Sequence, residues 1–182
     1  MKVKIGKFPK NGNANRKIDI QIDGADTWSL DHTLAHIILP MLKQLRDDKH
    51  GSPMVDDDDV PEYLRAVKKK KTRKSVGDLG HSVHAVQIDD EPNTFHSKWD
   101  WVLNEMIWAF EQELDDDWEA QFHHGKPEYL KEEVEHDKYG TVYTFKQTNP
   151  DYWVDREGIK AYNERINNGM RLFGKYYRGL WD

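Results

Sequence analysis

The 182-residue chain is long enough to close one well-buried core and short for two. With 33% charged residues and a mean hydropathy of -0.94 it approaches disordered compositions, but 12% aromatic residues can bury enough area to close a folded domain with long polar loops. A net charge of -6 gives no support to nucleic-acid binding by the whole surface, and the absence of cysteine removes disulfides, thiolate metal sites and a cysteine nucleophile.

The opening MKVKIGKFPKNG carries charge where a secretion signal needs an apolar run. No apolar stretch approaches the roughly 20 residues of a membrane helix. Both observations predict a cytosolic protein. RKIDIQID alternates strictly, with Ile18, Ile20 and Ile22 on one face and Asp19, Gln21 and Asp23 on the other, as in a half-buried strand. Val3 and Ile5 repeat the pattern before a Pro- and Gly-containing loop, which predicts an antiparallel hairpin.

The period then changes. Leu34, Ile37, Ile38, Met41, Leu42 and Leu45 step by three and four along one helical face. Ser29 suits its N-cap, Asp31 its first turn, and Gly51 its end, with Pro40 expected to kink it. Residues 51–80 place the acidic run Asp56 to Asp59 beside the basic run Lys68 to Lys74, which predicts a solvated, mobile excursion with a short helical turn around Pro61 to Val67. SVHAVQID suggests a third strand.

Residues 99–119 contain Trp99, Trp101, Trp108 and Trp118, four of the chain's seven tryptophans. Phe95, Trp99, Val102, Leu103, Met106, Ile107, Phe110 and Leu114 form a complete helical stripe. Trp101 and Trp108 project from the opposite side, so this helix is apolar on two faces. A sandwiched, central helix accounts for that pattern; an exposed aromatic patch is the competing reading. Pro127 onward, KPEYLKEEVEH, reads as a short helix, and TVYTFKQ as a strand. Asp155 suits the N-cap of a last helix whose face holds Ile159, Tyr162, Ile166, Phe173, Tyr177 and Leu180. Gly169 on that face would permit a close approach, and the final GLWD suggests a docked terminus. The expected fold is helix-dominated α+β: a small antiparallel sheet, the N-terminal hairpin plus one or two further strands, packed on three principal helices in a single domain of residues 1–182.

Motifs for chemistry are sparse. His32 and His36 stand four apart on a helix, a spacing that can hold a metal, but Thr33 replaces the glutamate of the zincin pattern. The acidic run Asp56 to Asp59 lacks calcium-loop spacing, and His123 and His124 form a weak metal signal. Asp31, Asp100, Glu105 and Glu111 would form a site for Mg2+ or Mn2+ if the helices bring them together, as in a metal-dependent hydrolase of nucleotides or nucleic acid. Otherwise they serve as dipole caps and ion pairs, with Arg165 or Arg171 as candidate partners of Glu105. Lys68, Lys69, Lys70, Lys71 and Arg73 could touch phosphates, but no aromatic residue interleaves them. Trp101 and Trp108, if exposed, would anchor a protein partner or a stacked base.

Three blocks, DTWSLDHTLAHIILPMLKQLRDDKHGSP, HSKWDWVLNEMIWAFE and NGMRLFGKYYRGLWD, resemble hypothetical proteins of tailed bacteriophages, especially T4-like marine phages and cyanophages. They cover roughly a third to two fifths of the chain, and no functional residue carries over. The resemblance implies a soluble protein of the infected bacterial cytoplasm that serves host takeover, nucleotide or nucleic-acid metabolism, counter-defence or virion assembly. The leading expectation is an accessory protein that binds a protein or nucleic-acid partner. The alternatives are the hydrolase and a virion or assembly component.

Overall fold

Three helices, α1 (Leu30–Asp48), α2 (Pro92–Gln112) and α3 (Arg156–Tyr176), build the core of the computed structural model, which describes residues 1–7, 9–10, 15–65 and 92–181. Among the described residues six short strands stand apart from them: β1 (Lys2–Ile5), β2 (Ile18–Gln21), β3 (His123–His124), β4 (Tyr129–His136), β5 (Gly140–Gln147) and β6 (Trp153–Val154). The fold is helix-dominated α+β. No described helix is long and apolar enough to cross a membrane.

Helix α2 lies between the other two. Its stripe Trp99, Val102, Leu103, Met106, Ile107 and Phe110 is buried throughout, as the three-and-four spacing requires. Each such side chain contributes about 1.5–3 kcal/mol on leaving water. One flank of α2 meets α1 in antiparallel register through Lys43–Glu111 (2.6 Å), Arg46–Asn104 (3.3 Å) and Lys49–Asp100 (2.5 Å). The other flank meets α3, also antiparallel, through Tyr162–Gln112 (2.6 Å) and the rings of Tyr176 and Trp99 (5.9 Å). Between those contacts Gly169 lies against α2. A Cβ there would stand 2.5 Å from the Ala109 Cβ and 2.7 Å from the Glu105 carbonyl oxygen, so glycine sets the helix spacing. Asp155 caps α3, accepting from the Gly158 N–H at 2.8 Å.

Helix α1 runs through Pro40, and Ser29 occupies its N-cap position without a side-chain cap bond. Only part of its apolar face enters the core. Ala35 and Leu42 are buried, and Ile38, Leu39 and Leu45 pack beside them, while Leu34 and Met41 stay exposed. Helix α3 likewise buries Leu172 and Tyr176 and leaves Tyr177 in solvent.

Of the segment expected to be a mobile excursion, residues 51–65 are strapped across the bundle. Val55 and Val60 are buried, and 3-10 turns form at Asp57–Asp59 and Glu62–Leu64. The acidic run is the fastening. Asp59, almost fully buried, receives Lys175 (2.5 Å), Arg171 (2.8 Å) and the Tyr176 hydroxyl (2.6 Å). The Tyr176 hydroxyl also accepts from the Asp56 N–H at 3.0 Å, and buried Lys98 pairs with Asp57 at 2.8 Å. Asp56 and Asp58 are solvated as expected, but Asp59 is not, because three donors from α3 offset its desolvation. Residues 66–80, and the third strand expected over 82–89, lie outside the described residues.

The strands form three separate antiparallel pairs, β1–β2, β3–β6 and β4–β5, where a single small sheet was expected. The helix expected after Pro127 is strand β4. It pairs with β5 over eight positions, from Tyr129↔Gln147 to His136↔Gly140. A three-residue loop closes this hairpin, with the Tyr139 N–H donating to the His136 carbonyl and Gly140 at φ +68°, a left-handed position that favours glycine. Cross-strand contacts, among them Lys131 Nζ 3.5 Å from the Tyr143 ring centroid, outweigh the helix propensity of Lys and Glu in this stretch.

Candidate functional site

The edge of the α1 apolar face, where it leaves the core, forms one wall of a groove. Ile38, Met41 and Leu45 face Phe173, Tyr177 and Trp181 across a cavity of about 910 Å3. The wide apolar face of α1 explains it. A helix with about half its circumference apolar can seat one edge on α2 and leave the other open. The opposite wall arises where α3 gives way to a 3-10 turn at Tyr177–Gly179 and Leu180 returns to the core. Tyr177 and Trp181 are thereby left 65% and 67% exposed, opposite Met41 at 63%. Gln44, Asp48 and Lys49 supply a polar rim. Aromatic residues and Met around an apolar floor with a polar edge are the composition of protein-binding surfaces.

A second, smaller cavity of about 460 Å3 lies where α2 meets α3 and the 3-10 turn at Trp118–Phe122. Trp118 stacks on Tyr162 (5.2 Å, 6°), and Trp108 and Phe122 meet the same ring edge-on. The Arg165 guanidinium lies 3.8 Å above the Trp108 ring centroid and is bidentate to Glu105 at 3.0 and 2.7 Å. Burial, then the nearby Asp115 charge, raises the Tyr162 hydroxyl above its ordinary pKa. Its polar groups satisfy one another: Tyr162 donates to Gln112, and Gln112 to the Trp108 carbonyl. This arrangement is a brace between helices.

Of the candidate site residues singled out from the sequence, only Trp108 lines either cavity, with Glu105 beside it. Trp101 packs half-buried against the core, and Trp108 is covered by Arg165 and Tyr162. Neither presents the free aromatic pair that a stacking surface needs. Lys68, Lys69, Lys70, Lys71 and Arg73 lie outside the described residues. The four carboxylates are distributed. Asp100 pairs with Lys49 just past α1, Glu111 with Lys43 of α1, Glu105 with Arg165 of α3, and Asp31 accepts from the His32 N–H at 2.9 Å. Among the described residues no group of three or more His, Asp or Glu is placed to hold a metal ion. His32 packs edge-on against His36, with its Nδ1 3.3 Å from the Glu113 carbonyl. His123 bonds Tyr152 (2.6 Å) and His124 stacks on Trp153. No protein-family model matches the chain, and neither a curated protein nor a solved structure does.

The sequence does not disclose the groove, because Tyr177 and Leu180 share the predicted core face and GLWD suggests a docked terminus. Leu180 obeys that reading; Tyr177 and Trp181 do not. The available signal was the breadth of the α1 face, which offers more apolar residues than one neighbouring helix can cover.

Proposed function

We propose that the chain is a bacteriophage accessory protein that binds a protein partner, receiving an amphipathic helix of that partner in the groove between α1 and the end of α3. The observation that carries this reading is the exposure of Met41, Tyr177 and Trp181 around one apolar cleft. A partner helix would lie along α1 and α3, anchored by side chains at three- and four-residue spacing. Aromatic residues of this kind dominate binding energy when a partner excludes water from them. The phage context rests on the resemblance of the three helical blocks. A protein partner is favoured over a nucleic acid because Trp101 and Trp108 are already engaged. A role as a virion or assembly component is the second reading, favoured by two hairpins whose apolar residues project into solvent.

A photo-crosslinking residue at position 41 tests the groove, with the same residue at Thr144 of β5 as control. In infected cells the groove position should yield discrete protein adducts that Trp181→Ala with Tyr177→Ala removes, and Thr144 should yield none. Adducts that nuclease treatment destroys, or equal adducts from both positions, would overturn the reading.

A further inference from the structure

Among the described residues nothing covers one face of the β1–β2 hairpin. Its register pairs Val3 with Ile20 and Ile5 with Ile18, so these four side chains share one side. Lys2, Lys4, Asp19 and Gln21 share the other. The sequence therefore reads as a half-buried strand pair, yet every residue of both strands is exposed. Ile22 continues the apolar row at 65% exposure, and Trp28, at the same end, is 92% exposed. That end is tied down. Asp23 caps the 3-10 turn Gly24–Thr27, and the Met1 amine pairs with Asp26 at 2.7 Å. The hairpin is thus held in place at one end with its apolar face uncovered. A lone two-stranded hairpin is marginally stable at best in water, so this face requires a cover.

We infer that a second copy of the chain supplies it: two molecules stack their β1–β2 faces about a two-fold axis. Three features favour a copy over another partner. The face carries no charge, so placing it against itself brings no like charges together. It is a flat array of β-branched side chains, a shape complementary to itself when two sheets stack at about 10 Å. Its area is also sufficient. Val3, Ile5, Ile18, Ile20 and Ile22 expose between 37% and 65% of their surfaces. That amounts to roughly 500 Å2 per copy, or about 1,000 Å2 for the pair, the size a specific interface has to reach. The polar face, with Lys4 opposite Asp19, then remains in water. The dimer is independent of the groove, and each copy would carry its own.

Sedimentation of the purified full chain at micromolar concentration tests this. The wild type should run at twice the 21.5 kDa chain mass. Ile18→Glu with Ile20→Glu should run as a monomer with unchanged circular dichroism. A monomeric wild type, or a dimer that survives the double substitution, overturns the inference. Should the glutamates unfold the chain, Ile20→Cys decides, because the protein has no other cysteine. Mild oxidation should convert Ile20→Cys to a disulfide-linked dimer at least about tenfold faster than Thr144→Cys on β5, since apposition raises the effective thiol concentration. Equal rates overturn it.

Discussion

Replacing Gly169 by alanine sets two opposed effects against each other, and the structure decides the sign. In an exposed helix Gly→Ala stabilises by about 1 kcal/mol, because glycine loses more backbone freedom on folding. At Gly169 the new Cβ would meet the Ala109 Cβ at 2.5 Å and the Glu105 carbonyl oxygen at 2.7 Å. Ordinary contact lies at about 3.5–4.0 Å, so α2 and α3 must part by roughly 1 Å or rotate. Neither obstacle is the free end of a flexible side chain. Overpacking of this kind costs typically 1–3 kcal/mol, and the rigid neighbours place it at the upper end. The net expectation is a loss of about 1–2 kcal/mol, or a midpoint roughly 2–8 °C lower for a domain of this size. Gly174, on the same helix, has nothing within 4 Å of its would-be Cβ. Gly174→Ala should therefore stabilise by about 0.5–1 kcal/mol. Urea titration followed by tryptophan fluorescence measures both. If Gly169→Ala stabilises as Gly174→Ala does, the close α2–α3 contact is wrong, and with it the helix spacing on which the brace and the groove depend.

Asp59→Asn should cost about 1–3 kcal/mol at neutral pH, because it removes the buried acceptor of Arg171 and Lys175, which keep contact with solvent and, for Lys175, the bond to Asp56, whereas exposed Asp58→Asn should change little. Burial alone would raise the Asp59 pKa, but the bonds from Lys175, Tyr176 and Arg171 together hold it below the usual carboxylate value. A depressed folded-state pKa gives stability that is present above the unfolded value and is lost as pH falls through the folded one. The gap between wild type and Asp59→Asn should hold from neutral pH to about pH 5 and shrink below about pH 4, as read by urea titration at each pH. A gap that widens with acid would refute the assignment. The Tyr176 hydroxyl is pushed up to about 12, chiefly by burial and then by its bond to Asp59. Tyr176→Phe should accordingly flatten the loss of stability that the wild type shows as pH rises from about 10 towards 12. Because each acidic side chain of the proposed metal set has its own partner, Mg2+ or Mn2+ added after chelation should leave the thermal midpoint unmoved. A saturable rise that Glu105→Gln removes would restore the hydrolase reading.

The parts of the fold legible in the sequence are those decided by local spacing. The α2 stripe, its place between two helices, the Asp155 cap and the close approach at Gly169 all follow from residues within a few turns of each other. The N-terminal hairpin is legible for the same reason. Strand β4 was not. KPEYLKEEVEH is rich in Lys and Glu, which favour helix, and its alternation of Leu130, Glu132 and Val134 is weak until β5 is laid beside it. The burial of Asp59 within the acidic run is also hidden. An Asp run looks solvated unless Arg171, Lys175 and Tyr176, more than a hundred residues away, are known to converge on it. The groove lay in the mismatch between the width of the α1 face and the single helix that covers it.

The polar and apolar groups of this molecule are treated differently, and that difference is the strongest argument for binding. Among the described residues no buried side-chain nitrogen or oxygen lacks a hydrogen-bond partner. The carboxylates that could have formed a reactive centre are spent on holding helices and the strap together. The unmet demand is apolar, and apart from the β4–β5 hairpin much of it is concentrated in two places, the groove beside Met41 and Trp181 and the face of β1–β2. Scattered exposed hydrophobes need no explanation, but grouped ones on a chain with so much charge available to cover them do. The two surfaces are separable by experiment. Trp181→Ala with Tyr177→Ala should abolish crosslinking from position 41 and leave the sedimentation mass intact. Ile18→Glu with Ile20→Glu should halve the mass and leave those adducts in place, weakened only if the partner engages both grooves at once. If either pair of substitutions changed both readouts equally while the fold persisted, the two surfaces would be one interface, and the division of roles between them would be refuted.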